Sequence, residues 1–251
     1  MTYIFTGKVM PERANVNIDA MIVKIKAVDA GFSGEAVVSV SCSQISVKFD
    51  TTDINISLST LKNYVEDLVR VLVDAYGYLS GRGYDVEVTS VIDPNGKQTV
   101  FGVGIEELEK AKNERPLSFQ DIVLSVIPKS PHFRPALGDL REAIRSPSDT
   151  GFFCYRAVEC VRQHFVINED NNQSEPSWKR LRDTLRIDRS WISPLERFSV
   201  PQRHGASSYM SKEDRVLLMQ RTWKVIDRFC VYVNRGFKQL PEDEFGILKE
   251  V

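Results

Sequence analysis

The stretch LERFSVPQRHGASSY, residues 195–209, places Arg197, Arg203 and His204 beside a proline and a glycine. An imidazole gives or takes a proton near neutral pH. A guanidinium holds a phosphate through charge-assisted, often bidentate, hydrogen bonds. Together they are a minimal kit for cleaving RNA without a metal. His204 would activate the ribose 2'-hydroxyl or protonate the leaving oxygen, and Arg197 would stabilise charge on the phosphorane-like transition state. Pro201 forbids a regular helical hydrogen bond and Gly205 permits an unusual turn. The segment therefore reads as a loop feeding the next helix, a setting in which rigid elements hold functional groups. A well-packed turn is the alternative use of the same residues.

Four further groups could serve such a site. Arg156 and Glu159 lie three apart in FFCYRAVECV, a helical segment, and so share a face. Phe153, Ala157, Cys160 and Val161 make that helix largely buried. The pair is then either an internal salt bridge or a group that orients His204 or binds phosphate, and loss of one partner should cost more than loss of a surface charge. Arg203 either touches substrate phosphate or pairs with an acid. Trp178, Trp191 and Trp223 read as core, with base stacking by Trp178 or Tyr209 as the alternative. His132 and His164 read as structural or surface residues.

No metal or cofactor is expected. Cys42, Cys154, Cys160 and Cys230 form no CxxC pair and sit at no zinc-site spacing from histidine; they read as reduced thiols of a cytoplasmic protein. There is no GxxxxGK[ST] loop, no GxGxxG between strand and helix, and no HExxH, GxSxG or EF-hand pattern.

The elements that must position these groups divide the chain. YIFTGKV, NVNIDAMIVKIKAV, EAVVSVSCSQISVKFD and INISLS are rich in Val, Ile and Thr with partial alternation and read as strands. Leu61, Tyr64, Val65, Leu68, Leu72, Val73, Tyr76 and Leu79 then recur at helical spacing, with Ser59 or Thr60 as cap and Gly81 or Gly83 as stop. YDVEVTSVI, the turn DPNG and KQTVFGV read as a hairpin. IEELEKAKN, a short charged helix, leads to Pro116 and a boundary near residue 115. Beyond it the pattern is helical over 118–127, 135–145, 149–166, 177–186, 190–198 and 211–236, with Ser211 and Asp214 approximating a capping box. The tail LPEDEFGILKE reads as a surface extension. The fold class is thus α+β by segregation: a β-rich domain with one long helix over 1–115, then an all-α bundle over 116–251.

The 251 residues carry a net charge of −1, which predicts no general attraction to nucleic acid or membrane. Charge is unevenly placed. Residues 134–235 hold 15 Arg and 3 Lys against 13 acids, whereas residues 1–115 hold 12 basic and 16 acidic groups. The basic half relies on arginine, which suits phosphates and buried ion pairs, although solvated helix faces use it too. No run of 18 apolar residues occurs, so no transmembrane helix is expected. The N-terminus lacks the pattern of a signal peptide.

The order DTGFFCYRAVECVRQHF, SWKRLRDTL, the Arg/His segment and a long final helix resembles the HEPN superfamily (higher eukaryotes and prokaryotes nucleotide-binding domains) over residues 135–236. Its members are compact bundles of four or five helices. Many carry Arg, four to six residues, then His between the last two helices; here six residues separate Arg197 from His204. FFCYRAVECV is similar to the YRA-E helix of several bacterial members, and RHGAS to their His-Gly loop. The resemblance implies a metal-independent endoribonuclease for single-stranded RNA, with Arg197 and His204 as the catalytic pair. It also implies a cleft shared across a homodimer of the helical domain, and a setting in bacterial defence or a toxin system. Arg203, Arg156 and Glu159 would bind or orient the substrate, and the N-terminal domain would engage a protein partner or position a target. Active members commonly carry a polar residue after the arginine, where this chain has Phe198. The alternative is a catalytically silent HEPN-like module that binds a protein partner or a nucleotide ligand.

Overall fold

The computed structural model describes residues 1–250 apart from 29, 54, 55, 171, 172 and 206–209, and for Glu169 and Gln202 it describes the backbone alone. The chain forms two compact units, Met1–Gly102 and Val103–Val251, in the α+β order expected. The division falls ahead of the boundary near 115, because the short helix Glu106–Lys110 buries Leu108 in the helical unit's core.

The first unit is a six-stranded antiparallel sheet. Its strands are β1 (Thr2–Met10), β2 (Ile18–Ala27), β3 (Phe32–Ser41), β4 (Gln44–Asp50), β5 (Asp85–Ile92) and β6 (Gln98–Val100), in the order β2-β3-β4-β1-β5-β6. Period-2 patterning sends Phe5, Val9, Val38, Val47 and Phe49 to one face. Helix α1 (Leu58–Ser80) covers that face with Leu61, Val65, Val69 and Val73. The run 35–50 divides at Cys42 and Ser43, whose φ values of 50° and 64° make the tight hairpin turn. INISLS is not a strand among the described residues. Ile54 and Asn55 lie outside them, and Ser57 caps α1 by accepting from the Thr60 amide at 3.2 Å, ahead of the Ser59 or Thr60 cap expected. Where β1 and β5 slip register at Thr6/Gly7, the buried Glu66 carboxylate accepts the Val88 amide at 2.9 Å.

The second unit is helical: α2 (Glu106–Lys110), α3 (Phe119–Asp121), α4 (Phe133–Arg145), α5 (Thr150–Arg162), α6 (Glu175–Leu185), α7 (Arg189–Arg203) and α8 (Lys212–Asn234). The helix expected over 118–127 is only α3, which widens into a π-type turn over Ile122–Val126. Helix α5 sits centrally, against α4, α7 and α8. Ala157, Val158, Val161, Leu195, Leu218 and Phe229 meet in its core. Ser211 caps α8 by accepting from Asp214 N at 3.0 Å, as the sequence indicates. The tail is not a free extension. Leu240 is buried, Leu248 bridges to Ile187, and Glu250 pairs with Arg221 at 2.8 Å.

Candidate functional site

Helix α7 runs through two prolines, Pro194 and Pro201, and ends at Arg203. The expectation that proline stops it before residue 201 is corrected by what surrounds it. A proline at 194 leaves the Ser190 carbonyl without its helical donor. Arg221 of α8 supplies one through Nη1 at 3.2 Å and also reaches the Trp191 carbonyl at 3.3 Å, while the Trp191 indole donates to Arg221 O at 3.2 Å. Leu195 and Ser199 are fully buried beneath the helix. The last turn closes when the His204 amide donates to the carbonyls of Val200 and Pro201 at 3.3 and 3.1 Å. Gly205, at φ 74°, turns the chain away. His204 is therefore fixed to a helix end rather than carried on a loop.

Arg197 and His204 are seven positions apart. On a helix that is two turns, so both project to one side, about 10 Å apart along the axis. Both are exposed. The Arg197 guanidinium lies over the ring of Phe198, 5.0 Å from its centroid. Among the described residues no hydrogen bond or ion pair reaches that guanidinium or the His204 ring.

Arg203, one position before His204, points about a third of a turn away and toward α5. Its Nη2 stands 3.9 Å from Glu159 Oε1, and its guanidinium is 5.6 Å from the centroid of Tyr155. Burial pushes the Glu159 carboxyl above its ordinary range, against the pull of Arg203 and Arg162, and Glu196 adds to the rise. Burial likewise pushes the Tyr155 hydroxyl up to about 12, with Glu159 and Glu196 contributing. Contact distance and carboxyl shift thus point opposite ways. The pair is long, and desolvation outweighs a screened attraction at that distance.

Arg156 takes no part in this cluster. It reaches α4, donating from Nε to Asp139 Oδ1 at 2.8 Å, and packs over Phe152 and Phe153 at 5.4 and 5.5 Å. Asp139 is 1% exposed. Positions three apart diverge by about 60° on a helix, and the sharing of a face by Arg156 and Glu159 ends there: each is claimed by a different neighbour. So the structure unites Glu159 with Arg203, aligns Arg197 with His204, and assigns Arg156 to a helix brace. Asp139 was readable in principle, because it sits among Phe133, Ala136, Leu140 and Ala143 on the buried stripe of α4, where a carboxylate needs a cation.

Sequence reasoning missed three further members. Tyr155 stacks on Trp178 at 5.8 Å, and Arg162 lies over the other ring system at 5.2 Å and donates to Ser177 Oγ at 2.6 Å. Glu196 lies two turns before Arg203 on α7, and its charge adds to the rise at Glu159. Trp178 is a packing residue in this column. Tyr209 lies outside the described residues. His164 is enclosed by Phe165, Phe229, Tyr232 and Phe237, a structural setting. Cys154 and Cys230 are buried thiols pushed up to about 12 by desolvation. Among the described residues no group of three or more His, Cys, Asp or Glu could hold a metal ion, and no helix is long and apolar enough to cross a membrane.

No curated protein and no solved structure matches the chain. Residues 3–101 match the N-terminal domain of a family described as a domain of unknown function, DUF8168, and residues 120–234 match the C-terminal domain of the same family. The two matches follow the two units in order and together span most of the chain, which therefore belongs to the DUF8168 family.

Proposed function

We propose that the helical unit is a HEPN-like endoribonuclease for single-stranded RNA, with His204 and Arg197 as its reacting pair. One observation carries this reading: the two side chains project from one side of the end of α7, exposed and unclaimed among the described residues. The neutral imidazole takes the proton of the ribose 2'-hydroxyl, whose oxygen attacks phosphorus. The bond to the 5'-oxygen breaks, and that oxygen takes a proton from a protonated imidazole or from water. Arg197 neutralises charge on the phosphoryl oxygens. The products are a 2',3'-cyclic phosphate and a 5'-hydroxyl. A two-fold pairing of helical units would bring two copies of the α7 end to one cleft. The N-terminal sheet would then recognise a protein or position the target, in the cytoplasm, as part of a defence or toxin system.

One observation favours a second reading, a catalytically silent module that binds a partner or nucleotide. Arg197 rests against Phe198, an aromatic where active HEPN proteins commonly have a polar group.

The test is incubation of the wild type and His204→Ala with mixed single-stranded RNA in excess EDTA, followed by analysis of product ends. Cleavage by the wild type alone, leaving cyclic phosphate ends, supports the nuclease. Equal cleavage by both removes His204 from the chemistry, and silence of both favours the binding module.

A further inference from the structure

Tyr155, Glu159 and Arg162 follow one another on α5 at spacings of four and three and so line one side of it. The first two face Arg203, whose chain neighbour is His204. Arg162, one turn further on, walls an open cleft of about 550 Å³, within the size range of small-ligand sites. The cleft is built for a polar ligand with one flat apolar part. Gln163, Asn168 and Gln173 line it with amides, and Val166 and Ile167, 42% and 47% exposed, line it with aliphatic surface. The one acid among the described lining residues, Asp170, is already committed. It is bound by Arg180, accepts the Ile167 amide at 3.1 Å, and is held below the ordinary carboxylate range by Arg180. Arg162 donates to Ser177 Oγ at 2.6 Å, its charge reaches both Glu159 and Asp170, and its Nε is buried without a hydrogen-bond partner among the described residues. The lining therefore offers a cation and paired donors and acceptors.

We infer that this cleft is the subsite for a nucleotide flanking the scissile phosphate of an RNA strand. Arg162 holds a phosphate, Val166 and Ile167 take a base face, and the amides read the base edge as Asn and Gln side chains do elsewhere. The inference rests on the ribonuclease reading of Arg197 and His204. The two places are linked through α5: Tyr155 and Glu159 meet Arg203 at the end of α7 that carries His204, and Arg162, one turn further along α5, stands at the cleft.

The test uses the full chain carrying His204→Ala, which keeps RNA intact, and fluorescence anisotropy with labelled oligo-A, oligo-C, oligo-G and oligo-U. Arg162→Ala should weaken all four by about ten- to a hundredfold, the range for losing a hydrogen bond to a charged group. Val166→Glu should do the same by placing a like charge in the cleft while leaving the packing of Arg162 on Trp178 untouched. Replacing Gln163, Asn168 and Gln173 together by Ala should level the affinities among the four bases. Affinities unchanged in Val166→Glu overturn the subsite and leave the nuclease standing. Cleft-dependent binding by a wild type that never cleaves keeps the subsite and overturns the catalytic role of His204. No RNA binding by the parent overturns the subsite.

Discussion

Arg156 and Asp139 form an ion pair whose halves differ in solvent access, and that difference predicts an unequal response to mutation. The Asp139 carboxylate is 1% exposed, whereas the Arg156 side chain is 49% exposed. Breaking a buried pair is expensive because of the charge left behind, typically about 3–5 kcal/mol when that charge stays uncompensated. Arg156→Met keeps the aliphatic stem over Phe152 and Phe153 and strands the carboxylate with only the Cys160 thiol at 3.4 Å. It should cost about 3 kcal/mol, the low end, because the Cys160 thiol remains as a donor to the carboxylate. Asp139→Asn leaves the guanidinium free to turn to water and retains an oxygen acceptor, so it should cost about 1 kcal/mol, one ordinary hydrogen bond. Urea unfolding followed by tryptophan fluorescence isolates the relevant unit, since Trp178, Trp191 and Trp223 all lie beyond Gly102. A larger loss in Asp139→Asn than in Arg156→Met would refute the reasoning.

Three further outcomes follow from the same geometry. The Glu159 carboxyl is raised by burial, so between its ordinary and raised values the folded chain holds a proton that the unfolded chain releases, and stability falls as pH rises through that window; Glu159→Gln should gain stability relative to wild type across it and then level off, and a difference independent of pH in urea melts would contradict this. At pH 8 a thiol reagent should label Cys42, which is exposed, well before Cys160, raised to about 11, and should reach Cys154 and Cys230 only after denaturation; prompt labelling of a second thiol by mass spectrometry would count against the burial. Ending the chain after Gly236 removes Leu240, 1% exposed, and the Gly246 carbonyl that Arg228 binds at 2.6 Å, and should cost about 1.5–3 kcal/mol from Leu240 alone, read as a lowered Tm of the tryptophan signal.

Much of the fold was legible because it is local. Alternation marked β1 to β5, and the Ser211/Asp214 cap marked the start of α8. INISLS failed for a local reason too: a serine followed three residues later by Thr60 is also a helix cap, and in Ile56–Ser57 the cap prevailed over β-branched patterning. The course of α7 was illegible from its own residues. Proline withdraws a donor from its own helix, but the replacement comes from Arg221, 31 residues away from Ser190. The same distance hides partners at the site. Arg156 and Glu159 announce one another by spacing, yet Asp139 and Arg203 claim them from two different helices, α4 and α7. A carboxylate on an apolar stripe was the one signal of Asp139 available in advance.

The consequence for function lies in how α7 divides neighbouring residues. Each step along the helix turns by about 100°, so Arg203 and His204, adjacent in the chain, cannot serve the same surface. Glu196 and Arg203 form a stripe toward α5, where Glu159 and Tyr155 meet them; Arg197 and His204 form the next stripe, toward solvent. The inner stripe holds the helix end against the bundle and thereby fixes the backbone from which the outer stripe projects. Substitutions in the two stripes should then separate by readout. Arg203→Ala acts first on the stability of the helix end, whereas His204→Ala changes a side chain with no partner among the described residues and leaves stability within about 0.5 kcal/mol of wild type. A histidine anchored through its amide, with no partner for its ring among the described residues, is a side chain that the described packing does not explain, and that is the physical ground for looking to chemistry at this position first.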